Sequence, residues 1–132
     1  MQVLKAILVD DELNSLQNLQ YKVLEYCPSV KVVAQTQNPE EAIVMIQQFK
    51  PDVIFLDIEM PRMSGFKMLE QIPEVDFEVI FITAYNHYAI NAIRISAFDY
   101  LVKPVSIEEL QQTVERLGYS TIKKKPGKSR TA

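Results

Sequence analysis

The chain has 132 residues, 48% of them hydrophobic and 23% charged, with a formal net charge of −3. That length suits one domain with a single core, and the acidic balance argues against a chain that binds nucleic acid along its whole length. No apolar run approaches the ~20 residues of a membrane span, and the lone Cys27 rules out an internal disulfide and fits a reducing cytosol.

Met1 leads directly into a strand-like run containing Lys5 and Asp10, so no signal peptide is expected. "VLKAILV" (3–9) predicts a first strand, ending on Asp10, Asp11 and Glu12. Leu13, Leu16, Leu19, Val23 and Tyr26 then form one helical stripe, with Cys27 as a small apolar residue late in that helix. "KVVAQT" (31–36) predicts a second strand with nothing reactive at its end. In "NPEEAIVMIQQF", Asn38 suits a helix cap and Pro39 the first helical position. "DVIFLD" (52–57) predicts a third strand closing on Asp57, and "EVIFIT" (78–83) a fourth closing on Thr83 and Ala84. In the helical "NHYAINAIRIS", no single apolar face contains Tyr88, Ile90, Ile93 and Ile95, so some must be exposed or covered by a partner. "AFDYLV" (97–102) predicts a fifth strand, followed by Lys103 and Pro104. Ser106 and Glu109 then make a capping box ahead of the stripe Ile107, Leu110, Val114 and Leu117. Residues 120–132 carry Lys123, Lys124, Lys125, Lys128 and Arg130 and no acid, +5 against −8 on residues 1–119, and read as a basic flexible tail.

Strands alternating with helices predict an α/β fold with a parallel sheet and helices on both faces. The first, third and fourth strands are nearly continuous Val, Ile, Leu and Phe, as strands covered on both faces require. Three glycines and no glycine-rich phosphate loop argue against a dinucleotide or NTP site. Ligands of such sheets bind beyond the carboxyl ends of the strands. With strand order 2-1-3-4-5, Asp10, Asp11 and Asp57 meet on one rim, with Thr83 and Lys103 further along it. Three carboxylates repel one another, and Mg²⁺ relieves this with oxygen ligands: Asp11 and Asp57 directly, Asp10 through water. Lys103 adds a mobile positive charge and Thr83 a hydroxyl, which completes the parts for phosphoryl transfer to a carboxylate. Singly, each residue has a plainer reading: an acidic pair opening a helix, an Asp at a turn, a solvated Lys before Pro. Coincidence at four of five strand ends separates the set from those readings.

"ILVDDE", "DVIFLDIEMPRMSG", "VIFITAY" and "AFDYLVKP" resemble the receiver domain of two-component response regulators, over about Val3 to Leu117. The resemblance implies a flavodoxin-like fold with five helices, and reversible phosphorylation by a sensor histidine kinase rather than enzymatic turnover of a substrate. It makes Asp57 the phosphoacceptor and Asp10 and Asp11 the acidic pocket. Glu59 would offer its backbone carbonyl to Mg²⁺, Thr83 and Ala84 would meet the phosphoryl group, and Lys103 would reach it. Tyr100 becomes the switch aromatic, and the Lys103–Pro104 bond is expected to be cis. Finer texture is similar to LytTR-type regulators, implying a receiver over 1–119 and, from 120, a linker toward a DNA-binding domain outside this chain. A cytoplasmic homodimer through helix 4, strand 5 and helix 5 is expected. Tyr85 near the acceptor would restrict water while Glu59 would orient it, and His87 reads as a surface histidine. A stand-alone receiver and a phosphorylation-independent pseudo-receiver remain alternatives. A haloacid-dehalogenase-like phosphohydrolase is disfavoured, because the second acid of its D-x-D motif is here Glu59.

Overall fold

The computed structural model describes residues 3–124. Five parallel strands form one sheet: β1 (Leu4–Val9), β2 (Val30–Thr36), β3 (Val53–Leu56), β4 (Glu78–Thr83) and β5 (Asp99–Val102). Their spatial order is β2-β1-β3-β4-β5, as the strand-end argument requires. The connecting helices are α1 (Leu13–Tyr26), α2 (Pro39–Phe49), α3 (Gly65–Glu70) and α4 (Ala89–Arg94), and α5 (Ile107–Lys124) closes the described chain.

Both faces of the sheet are covered, which explains why the central strands have no polar alternation. Leu4, Ala6 and Leu8 point to one side and pack with Leu16, Leu19 and Val23 of α1 and Leu110, Val114 and Leu117 of α5. Ile7 and Val9 point to the other, against Ala42 and Ile46 of α2, Met68 of α3 and Ala92 of α4. Burying these side chains at about 25 cal/mol per Å² is the main stabilising term.

The caps form where the sequence signals lie. Asn38 accepts from the backbone N–H groups of Glu40 and Glu41, and Ser106 Oγ accepts from Glu109 N–H at 3.2 Å. Three details differ from the sequence reading. Leu13 and Tyr26, at the margins of the α1 stripe, are exposed, so that helix buries a narrower face. The fourth helix is only six residues long, and Ser96 just beyond it has φ 61°, a left-handed conformation that stops the helical run. Finally, α5 continues through Lys124, so the basic stretch expected to be a flexible tail from residue 120 begins in helix. Lys125, Lys128 and Arg130 lie outside the described residues.

Candidate phosphoacceptor site

The site follows from strand register. Val9 of β1 pairs with Leu56 of β3, so the next residues, Asp10 and Asp57, leave the sheet side by side. Asp57 N–H donates to the Val9 carbonyl at 2.9 Å, and Asp10 N–H to the Thr36 carbonyl at 3.2 Å. Backbone bonds therefore hold two carboxylates at the rim before any side-chain contact forms. Asp10 is 4% exposed and Asp57 6%, while Asp11 is half-buried. One oxygen from each of Asp10, Asp11 and Asp57 lies within 4.8 Å of the others. Gln37 on the loop after β2 donates to the Asp11 carbonyl at 2.9 Å, which fixes the chain direction there.

Lys103 arrives from β5. Its N–H donates to the Thr83 carbonyl at 2.8 Å, and the following peptide bond to Pro104 is cis. Its Nζ lies 2.8 Å from Asp10 Oδ2 and 3.4 Å from Asp57 Oδ2. One ammonium thus faces two buried carboxylates, with Asp11 alongside. Burial, then repulsion from Asp10, pushes the Asp57 carboxyl up to about 6, against the smaller opposing pull of Lys103. Burial followed by Asp10 raises Asp11 as well. Burial alone would lower Lys103, but its bond to Asp10 and the charges of Asp57 and Asp10 together outweigh that and raise it. The cluster has more negative charge than its single cation balances, and its hard oxygen donors suit a divalent cation. Beside it is a cavity of about 490 Å³ whose lining includes Asp11, Asp57, Glu59, Ala84, Tyr85 and Lys103.

Thr83 is fully buried, and its Oγ1 accepts from Tyr85 N–H at 3.4 Å. Tyr100 is half-buried against the second core; its hydroxyl donates to the Tyr85 carbonyl and accepts from Tyr88 N–H at 3.2 Å. His87 stacks beside Tyr88, with ring centroids 4.2 Å apart, and is exposed.

The sequence reading missed two residues here. A Cβ on Gly65 would lie 2.5 Å from the Asp57 carbonyl oxygen, so only glycine lets α3 start this close to the end of β3. The signal available was a glycine ending "MPRMSG", eight residues after Asp57. The second is Tyr88, whose hydroxyl donates to Glu59 Oε2, where sequence had assigned Glu59 a role through its backbone carbonyl. No local pattern announces that contact, since 29 residues separate the partners.

Comparison with known proteins is decisive for the family. A model of the response regulator receiver domain matches residues 6–115. The chain belongs to the response regulator receiver family. A response regulatory protein of Vibrio cholerae is 45% identical over 116 residues, covering 87% of this chain and 48% of that protein. The transcriptional regulatory protein BtsR of Salmonella typhimurium is 40% identical over the same shares. The receiver thus spans about half the length of the curated relatives it matches. Among solved structures, the response regulatory domain of mrkE from Klebsiella pneumoniae superposes with a TM-score of 0.81 at 26% identity, covering 90% of this chain and 98% of that one. The response regulator domain of Thermotoga maritima CheB gives 0.77 at 28% identity, covering 88% and 96%. Receivers bind Mg²⁺ at an acidic pocket and switch on phosphorylation, and this chain brings Asp10, Asp11 and Asp57 together in one acidic cluster.

Proposed function

We propose that Asp57 accepts a phosphoryl group from a sensor histidine kinase in a Mg²⁺-dependent reaction, and that the resulting conformational change controls transcription. The observation that carries this reading is the three-carboxylate cluster with Lys103 Nζ 2.8 and 3.4 Å from two of its members. Asp11, Asp57 and the Glu59 carbonyl would hold the metal, with Asp10 acting through water. Bound there, Mg²⁺ would offset charge on the carboxylates and on the incoming phosphoryl oxygens. An Asp57 oxygen attacks phosphorus, the P–N bond to the kinase histidine breaks, and the imidazole leaves. Lys103 exchanges part of its bond to Asp57 for a phosphoryl oxygen, and Thr83 and the Ala84 backbone meet the others. Withdrawing Thr83 toward the phosphoryl group alters the loop through Tyr85, to which the Tyr100 hydroxyl is bonded. The receiver turns over no external substrate in this scheme.

Output would come through a LytTR-type DNA-binding domain joined by the basic segment. The twofold length of relatives that include a named transcriptional regulator supports this. Exposed Ile90, Ile93 and Ile95 on and just after α4, and exposed Val102 on β5, support a homodimer through α4, β5 and α5. Among the described residues no helix is long and apolar enough to cross a membrane, in keeping with a cytoplasmic regulator.

Intact-mass measurement after incubation with acetyl phosphate, with and without Mg²⁺, tests the chemistry. The expected result is one metal-dependent phosphoryl adduct on the natural sequence and none on Asp57→Asn. An unlabelled protein, or labelling that survives the substitution, would falsify the assignment.

A further inference from the structure

Glu59 lines the cavity beside Asp57, yet its side chain is occupied elsewhere. The Tyr88 hydroxyl donates to Glu59 Oε2. The Tyr88 ring is flanked on several sides, by His87 at 4.2 Å, Phe66 of α3 at 6.0 Å and Tyr85 at 6.5 Å between centroids. Its backbone is fixed too: the carbonyl accepts from Ala92 N–H at 3.0 Å to open α4, and the N–H donates to the Tyr100 hydroxyl. One residue therefore ties the loop after β3 to the start of α4 and to β5.

We propose that Tyr88 is a positioning residue that lengthens the life of the phosphoryl group on Asp57 by holding the Glu59 carboxylate through its phenol hydroxyl. This rests on Asp57 being the acceptor. In hydrolysis a water oxygen attacks phosphorus, the bond from phosphorus to the Asp57 oxygen breaks, and Asp57 leaves as a carboxylate. Glu59, if free, takes a proton from that water and passes it to the departing inorganic phosphate. Bonded to Tyr88, Glu59 Oε2 already accepts a proton donor, which makes the carboxylate a poorer acceptor for that water's proton. Because Tyr100 anchors Tyr88 N–H, the position of the switch residue and the lifetime of the signal are coupled through a single side chain.

The test is the decay of acetyl-phosphate-labelled full chain after the donor is removed, followed by intact mass in excess Mg²⁺. Tyr88→Phe keeps the ring packing and deletes only the hydroxyl. It is expected to lose phosphate several-fold faster than the natural sequence, and to have no effect when added to Glu59→Ala, which leaves the backbone carbonyl in place. Unchanged or slower decay in Tyr88→Phe overturns the proposal, as does acceleration that persists in the Glu59→Ala background. Calorimetric Mg²⁺ affinity of the unphosphorylated protein separates positioning of Glu59 from support of the metal pocket. It should stay within about twofold in Tyr88→Phe, and a larger loss overturns the proposal. If the natural sequence takes up no phosphate, the acceptor assignment itself falls. If it labels normally and Tyr88→Phe decays like it, only the role of Tyr88 falls.

Discussion

Two regions of this receiver break opposite rules. At the ends of β1 and β3, the carboxylates of Asp10 and Asp57 are almost wholly buried, where charge is expensive. On α4, Ile90 is 65% exposed and Ile93 74%, where apolar surface is expensive. The first region is anchored by backbone bonds from both strands and by Lys103, so its cost is built into a rigid frame. The second sits on a six-residue helix that covers the core with little more than Ala92 and leaves its isoleucines facing outward. Lys103 offsets the first only in part, and a divalent cation would offset the rest; a protein surface laid on α4 would cover the second. Tyr100 lies between them, bonded to the Tyr85 carbonyl and to Tyr88 N–H.

The sharpest way to break the contrast is to remove the cation of the rigid region. Lys103→Met keeps most of the apolar stem but leaves Asp10 and Asp57 facing each other without it. Losing one partner of such a buried set costs about 3–5 kcal/mol, and urea unfolding of metal-free protein at neutral pH should show a loss on that order. In an Asp57→Asn background, with one carboxylate gone, the same substitution should cost markedly less. Equal losses in the two backgrounds would mean that Lys103 stabilises by packing, not by charge.

A smaller effect comes from the strain in the cluster itself. The folded protein holds Asp57 at about 6 against an ordinary 3.8, so between those values it binds a proton that the unfolded chain does not. Stability of the metal-free protein should therefore rise as pH falls through about 6, with the gain complete only below the unfolded value. Asp57→Asn removes this contribution. It should be more stable than the natural sequence at neutral pH by about 2 kcal/mol, a figure tempered by the shared titration with Asp10. That advantage should shrink as pH falls toward 5, in thermal midpoints measured with chelator present. A gap that stays constant with pH, or widens on acidification, would contradict the raised Asp57.

How much of this was legible in advance divides along the same line. The strands and the charged residues that end them could be read because each rests on a local signal, an apolar run closing on a charged residue. Asn38 and Ser106 were readable for the same reason, since a cap is chosen by its nearest backbone N–H groups. Strand order has no such signal, and the meeting of Asp10, Asp11 and Asp57 followed only once the order 2-1-3-4-5 of a receiver-like sheet was taken. The start of α3 at Gly65 was hidden, because the need for glycine arises from the Asp57 carbonyl across the loop. The Tyr88 bond to Glu59 and the Tyr100 bond to Tyr85 were hidden as well. These are contacts between loops that only the folded sheet brings together, and neither residue's spacing specifies them. The end of α5 was misplaced because lysines are good helix formers, and a basic run carries no stop signal of its own.

The mildest perturbation addresses the apolar region. Ile93 is largely solvent-exposed, so Ile93→Asp deletes little burial within the monomer, and its folding stability should change by less than about 0.5 kcal/mol. Its effect should appear in assembly instead. Sedimentation of the phosphorylated natural sequence is expected to show a concentration-dependent dimer, and phosphorylated Ile93→Asp a monomer at the same concentrations. Phosphorylation of the variant should itself be unimpaired, because Ile93 touches none of the acceptor cluster. If the natural sequence sediments identically with and without phosphate, the exposed isoleucines serve some contact other than a phosphorylation-strengthened dimer. If instead Ile93→Asp unfolds, α4 is stabilised by that side chain despite its exposure, and the contrast between a rigid charged region and a loosely covered apolar one fails at its second term.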